Sequence, residues 1–180
     1  MAIHILNASF LTDSDLDETV HAVGRIFELP VDSTRPALDL DRAFDGSRGQ
    51  YNSSALLAQI LSAGFSPGEK AIAIVDVDLY IPVLTFIFGE AQLGGTAAIV
   101  STHRLMNQFY GMTPDTECLI LRLRKEIVHE LGHTFGLYHC HQFECVMRSS
   151  TYVEEIDLKL AQMCEACGTI IKRNVITSQP

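Results

Sequence analysis

The first half of the chain alternates short apolar runs with amphipathic segments. Residues 2–7 form a mainly apolar run, which predicts a buried strand. From residue 12 or 13, apolar side chains recur with the spacing of a helix, and Pro30 is expected to end it. The side chains with this spacing are Leu16, Val20, Val23 and Phe27. Residues 37–49 predict a brief strand followed by a loop.

A second helix and three β-rich runs follow. Asn52 or Ser53 is expected to cap this helix, and Gly64 is expected to end it. The β-rich runs, which prolines and glycines punctuate, cover residues 70–77, 83–88 and 96–101.

The second half of the chain begins with a long amphipathic segment. Thr113 is expected to cap this third helix, with Pro114 at its first position, and the helix is expected to run to Gly136. A last helix is predicted from Thr151, where a Thr-x-x-Glu capping box begins, to about Cys164. Strands that alternate with helices, followed by three strands in succession, predict a sheet with an antiparallel part.

Composition and charge narrow the class of protein. With 180 residues, 47% of them hydrophobic and 19% charged, the chain is expected to fold as a single domain. A net charge of −9 argues against nucleic acid or an anionic membrane as a partner. Asp76 and Asp78 interrupt the most apolar stretch, and the first residues lack a basic segment. No membrane span or signal peptide is therefore expected, and we expect a cytoplasmic monomer.

Candidate chemistry is concentrated in HELGHTFGLYH, residues 129–139. His129 and His133 are four residues apart on the predicted helix, so both imidazoles can reach one metal ion. On a continued helix, His139 would lie ~15 Å further along the axis. The chain must therefore turn between them, and Gly136 can adopt the positive φ that such a turn requires.

Three neutral histidines leave one zinc coordination position open for water, which is typical of a catalytic site. Glu130 follows His129 directly and is predicted to be the general base that takes a proton from the zinc-activated water. The alternative is a chance HExxH on a helix that merely buries its histidines. Gly136 and His139 at the required spacings argue against that alternative.

Four of the five cysteines lie close together in the sequence and predict a second, structural zinc site. They form a CxxxxC pair and a CxxC pair: Cys140, Cys145, Cys164 and Cys167. Disulfides or a redox-active CxxC are the competing interpretations, and His141 could replace one cysteine as a ligand. Cys118 lies outside this group and is expected to be a buried, inert thiol.

The segment HELGHTFGLYHCHQFECVM, followed by CEAC, resembles the archaemetzincins, a branch of the metzincin zinc metalloproteases. The resemblance implies a catalytic zinc at the three histidines and a structural zinc at the four cysteines. It also implies that Glu130 is the base and that Met147 forms the tight methionine turn beneath the metal. Where several metzincins carry an assisting tyrosine two residues after this methionine, the present chain has Ser149.

The same resemblance implies an α+β, metzincin-like fold with a mixed sheet, an antiparallel edge strand and an active-site helix. A larger amino-terminal part, residues 1–136, would be followed by a small zinc-tied subdomain, residues 137–180. Residues 96–101 are the expected edge strand, against which an extended peptide would bind. Arg122, with Arg124 and Lys125, is expected to form a solvated helix face.

The chain is therefore predicted to be a zinc-dependent peptidase that acts on a peptide or protein substrate and binds two zinc ions. A non-catalytic, zinc-stabilised peptide-binding module on the same scaffold is the alternative from another class. Retention of Glu130 argues against this alternative, since a binding site needs no base. A deacetylase or another amide hydrolase is a third possibility.

Overall fold

The structure, a computed structural model, describes residues 1–177 and contains helices and strands in mixed order. The strands are β1 (Ile3–Asn7), β2 (Val31–Thr34), β3 (Phe44–Asp45), β4 (Gln50–Asn52), β5 (Lys70–Val75), β6 (Leu79–Tyr80), β7 (Gly89–Ala91) and β8 (Ala97–Ser101). The helices are α1 (Asp13–Phe27), α2 (Ser53–Ser62), α3 (Thr116–Thr134), α4 (Val153–Leu158) and α5 (Glu165–Thr177). The predicted mixture of helices with a mixed sheet is confirmed.

The main sheet has the strand order β2-β1-β5-β8-β7. Its first four strands are parallel, whereas β7 runs antiparallel to β8, with Gly89 opposite Val100. A smaller sheet has the order β3-β4-β6. Ile72 and Ile74 of β5 pack on one face of the main sheet with α1 and α3, and the alternate residues pack on the other face with α2. Helices thus cover both faces, and α3 lies against β7 and β8.

The ends of the first two helices agree with the expected signals. Thr12 and Asp15 form a capping box at the start of α1, and Glu28 takes a left-handed conformation just after its end. Asn52, one of the two expected caps, accepts a hydrogen bond from the Ala55 N–H at the start of α2.

The start of α3 differs from the prediction. Asp115, not Thr113, is the N-cap, because its carboxylate accepts a hydrogen bond from the Cys118 N–H. The expectation of a solvated face is also wrong, since Arg122 is buried and Arg124 and Lys125 are half-buried. The Arg122 guanidinium donates two hydrogen bonds to Asp157, both at 2.7 Å.

Two predictions about strands are wrong. Residues 83–88 form no strand: Ile87 makes a single bridge to Leu79, while Arg48 donates to Leu84 O and Gln50 donates to Thr85 O. The expected edge strand, residues 96–101, lies inside the sheet, since β8 pairs with β5 on one side and with β7 on the other. The short strand β7 is the one that lies at this edge of the sheet.

The helix predicted from Thr151 to about Cys164 is the shorter α4, whose N-cap is Tyr152 rather than Thr151, and α5, which begins at Glu165, was not predicted. The Glu155 carboxylate accepts hydrogen bonds from the backbone N–H groups of Thr151 and Tyr152 and thereby caps α4. The proposed division at residue 136 stays a prediction, and residues 178–180 of the expected second part lie outside the described residues. Among residues 1–177, no helix combines the length and apolarity that a membrane span requires.

Candidate metal centres

The three predicted histidines converge beside the carboxyl end of α3. The Nε2 atoms of His129 and His133 lie 3.1 Å apart, and one ring nitrogen of His139 lies within 4.8 Å of both rings' ligand atoms. Three ligands at about 2.05 Å in a tetrahedral arrangement would be separated by about 3.3 Å. The three imidazoles therefore fit one zinc ion with little movement.

The turn that returns His139 to the other two histidines is a Schellman motif. Gly136 has φ 88°, and its N–H donates to His133 O, while the Leu137 N–H donates to Gly132 O. The predicted role of Gly136 is thus confirmed, since a side chain at this φ would be strained.

Backbone carbonyls fix the orientation of the two helical histidines. Nδ1 of His129 lies 2.8 Å from Val146 O, and Nδ1 of His133 lies 2.7 Å from Leu137 O. Because a carbonyl only accepts, Nδ1 carries the proton and Nε2 is left with its lone pair for a metal. Burial lowers the pKa of all three histidines, and that of His129 falls well below its ordinary value. Neutral rings are the form that binds zinc.

The side chain of Glu130 extends from α3 towards the edge strand β7. A Cβ atom at Gly89 of β7 would come within 2.7 Å of Glu130 Oε1 and of Ile99 O, so only glycine leaves room for this carboxylate. Burial, and then the negative charge of Glu126, raise the pKa of Glu130 well above its ordinary value. A raised pKa makes the carboxylate a stronger base.

Glu126, which lies one turn before Glu130 on α3, forms a buried ion pair with Lys159. Lys159 donates to Glu126 Oε1 and to Arg148 O, both at 3.1 Å, and both charged side chains are almost fully buried. Lys159, which follows the end of α4, therefore links this segment to α3 and to Arg148. The positive charge of Lys159 also contributes to the lowered pKa values of the histidines.

Met147 packs against α3 at Gly132, and its role in a methionine turn stays a prediction. It is fully buried, and a Cβ atom at Gly132 would overlap its sulfur. Gly132 thus allows the methionine to pack directly against the backbone of α3, between His129 and His133.

The four predicted cysteines form a second group. Their sulfur atoms lie within 4.8 Å of one another, with 3.8 Å between Cys140 Sγ and Cys164 Sγ. A tetrahedral zinc with bonds of about 2.3 Å would separate its sulfurs by about 3.8 Å. All five cysteines are unpaired, so the disulfide alternative is not found, and His141 lies outside the four-sulfur group. Cys118 is half-buried rather than buried.

The environment of the four sulfurs favours a thiolate at one of them, because it lowers the pKa of Cys164. The Gln142 N–H donates to Cys140 Sγ, and the Cys164 N–H donates to Cys145 Sγ. Hydrogen bonds from the Cys167 backbone and from neighbouring thiols lower the pKa of Cys164 to about 7. Burial raises the pKa of Cys167, and the two thiols are hydrogen-bonded to each other. One thiolate shared among thiol donors is the charge distribution expected of this group without a cation.

A cleft of about 630 Å³ opens over the histidines. Strand β7 and residues 84–88 line it together with Tyr138 and residues 149–151. The sequence did not predict Gly89, Glu126 or Lys159 as neighbours of this site. The i, i+4 spacing of Glu126 and Glu130 on one helix face was a usable signal for the first of these carboxylates.

Comparison with known proteins matches the chain to one family along most of its length. The sequence model of peptidase family M54 matches residues 41–173. An archaemetzincin of Methanocaldococcus jannaschii is 38% identical over 133 residues, which are 73% of this chain and 72% of that protein. An archaemetzincin of Saccharolobus solfataricus is 34% identical over 176 residues, 96% of this chain and 94% of that protein.

Two crystal structures have closely similar folds. A zinc-dependent peptidase from Methanocorpusculum labreanum superposes with a TM-score of 0.84 at 30% identity, covering 94% of this chain and all of that chain. An archaemetzincin from Methanopyrus kandleri superposes with a TM-score of 0.82 at 34% identity, covering 97% of this chain and 96% of that chain.

Proposed function

Because the chain belongs to peptidase family M54, with the archaemetzincins, we propose that it hydrolyses peptide bonds at the three-histidine site. The protein is a zinc metallopeptidase. The observation that carries the proposed site is the convergence of three neutral imidazoles and one buried carboxylate at the floor of a single cleft.

We propose two zinc ions with separate roles. The catalytic ion would be held by Nε2 of His129 and His133 and by His139, an incomplete ligand set that leaves a position for substrate or water. The structural ion would be held by all four thiolates: Cys140, Cys145, Cys164 and Cys167. Because Cys140 follows His139 directly, the structural site would fix the chain that carries the third histidine.

A zinc ion at the histidines would polarise the scissile carbonyl and increase the acidity of a water molecule. Glu130 would accept the proton of that water and transfer it to the departing amine. Its burial and its raised pKa suit both transfers, since the same group must be a good base and then an acid. Gly89 holds open the space in which this carboxylate lies.

We propose that the substrate binds as an extended strand along β7. This strand lies at the sheet edge, runs directly over Glu130 and lines the cleft. Backbone hydrogen bonds to such an edge hold a peptide without regard to its sequence. The Glu90 carboxylate accepts hydrogen bonds from the hydroxyls of Ser53 and Ser54 at the start of α2. These bonds attach the edge strand to α2.

A peptide-library digest tests this function against the peptide-binding alternative. Protein loaded with zinc at both sites is expected to cleave library peptides, and a chelator that empties the histidine site is expected to stop cleavage until zinc is restored. Mass spectrometry of the products measures the result. A fully loaded protein that binds library peptides but cleaves none would favour the binding module instead.

A further inference from the structure

Two large apolar side chains stand exposed at the edge of the cleft on either side of the His133 main chain. Leu93 lies in the turn between β7 and β8 and is 49% exposed. Tyr138 lies between two of the zinc-site histidines and is 74% exposed. Both residues line the cleft, and they are called the rim pair below. Exposed apolar side chains grouped at a cleft are typical of a binding surface.

The segments that carry the rim pair are fixed to the same end of α3. His133 O accepts hydrogen bonds from the N–H groups of both Gly94 and Gly136, which brings the two turns together at one carbonyl. Lys70, itself buried, adds a second link, because its ammonium donates to Gly95 O at 2.6 Å and to Thr134 O at 2.8 Å. The rim pair is therefore held by main-chain geometry on both sides, as a preformed binding surface requires.

The chemistry of the cleft indicates what this surface accepts. The lining of the same cleft includes further large apolar side chains, those of Leu84, Phe86 and Phe88. The formally charged residues that line the cleft are all glutamates, with no lysine or arginine among them. A substrate carboxylate placed against Leu93 and Tyr138 would lose its water with no lysine or arginine of the cleft lining to pair with, and that loss is costly. An aliphatic or aromatic side chain would gain by burial at the same place.

We propose that the rim pair binds a large apolar side chain of the substrate and selects against acidic ones next to the scissile bond. This proposal rests on the proposed peptidase function for the position of the peptide, but the binding itself needs no turnover. Because the rim pair adjoins His133 and His139, the selected side chain is that of a residue close to the bond that is cut.

Binding of two defined peptides to the zinc-loaded Glu130→Gln variant tests this directly. The probes are end-blocked, fluorescently labelled hexapeptides with Phe-Leu or Asp-Asp at their centre, and the measurement is fluorescence anisotropy. The Phe-Leu peptide is expected to bind more tightly. Adding Tyr138→Ala or Leu93→Ala is expected to weaken it by roughly tenfold, a loss typical of truncating a central apolar side chain in an interface.

The chain offers matched controls for both truncations. Tyr152 is 65% exposed and Leu61 is 39% exposed, and neither lines the cleft. Tyr152→Ala and Leu61→Ala are expected to leave peptide binding unchanged. Leu93→Lys is expected to raise the affinity for the Asp-Asp peptide, since it supplies the missing cation. Equal zinc content and melting temperature among the variants exclude misfolding as the cause.

The outcomes separate this inference from the proposed function. If wild type cleaves the Phe-Leu peptide and Tyr138→Ala binds and cleaves it equally well, the rim pair is not a specificity site, although the peptidase function stands. If no peptide is cleaved but the binding losses occur as described, the function fails and the rim pair stands. Equal affinity for the two peptides, or no binding of either, would overturn the proposal.

Discussion

Replacing Glu130 by glutamine is expected to slow peptide hydrolysis by about 10²–10⁴-fold, the usual contribution of a general base. The amide has almost the shape of the carboxylate, so it fits the space beside Gly89, but it cannot accept the proton. The three imidazoles hold the metal without Glu130, so zinc content is expected to be unchanged. Initial rates on a peptide that wild type cleaves, with zinc measured in each sample, give the result.

Glu117→Gln is the matched control for this change. Glu117 lies in the exposed first turn of the same helix, far along the axis from the histidines. It is expected to keep wild-type activity. A Glu130→Gln protein that keeps more than a tenth of wild-type activity while fully loaded with zinc would show that another group takes the proton.

Cys164→Ser is expected to destabilise the fold far more than His129→Ala. Cys164 directly precedes α5 and Cys167 lies in its first turn, whereas Cys140 and Cys145 lie in the chain that follows His139. Losing one thiolate would therefore release the last helix and the ligand-bearing chain together. Four-ligand zinc sites in zinc-finger peptides bind their metal with ~10–16 kcal/mol, so a fall in Tm of about 10 °C or more is expected.

Thermal unfolding of the variants, followed by circular dichroism, measures this difference. Cys118→Ser is the control, because this half-buried thiol lies outside the four-sulfur group and its loss is expected to shift Tm little. His129→Ala is expected to abolish activity with a smaller fall in Tm. Equal losses for Cys164→Ser and His129→Ala, or a larger loss for His129→Ala, would contradict a structural role for the cysteines.

Local geometry explains why the sequence predicted the ligand groups. The four-residue spacing of His129 and His133 places their side chains on the same face of any helix. Gly136 can adopt the positive φ of the turn that brings His139 back to them. The spacing within each of the two cysteine pairs likewise indicates a metal site. These features depend on short stretches of chain, so they can be predicted without knowledge of the tertiary structure.

Features that depend on distant contacts could not be read in this way. Residues 83–88 have the composition of a strand, but side chains of Arg48 and Gln50 bind their carbonyls. Residues 96–101 are an internal strand because β7 pairs beyond them, which no local pattern indicates. The ion pair of Lys159 with Glu126 joins residues 33 positions apart, and no local pattern in the sequence predicts it.

A zinc titration with cleavage followed at each step tests the central claim most directly. Protein treated with a mild chelator is expected to retain one zinc at the four thiolates, since that closed site exchanges slowly, and to cleave nothing. Native mass spectrometry is then expected to show one further zinc binding per chain, with cleavage rising in proportion to it. A maximum of one zinc per chain, or cleavage that does not follow occupancy of the second site, would contradict the two-site account.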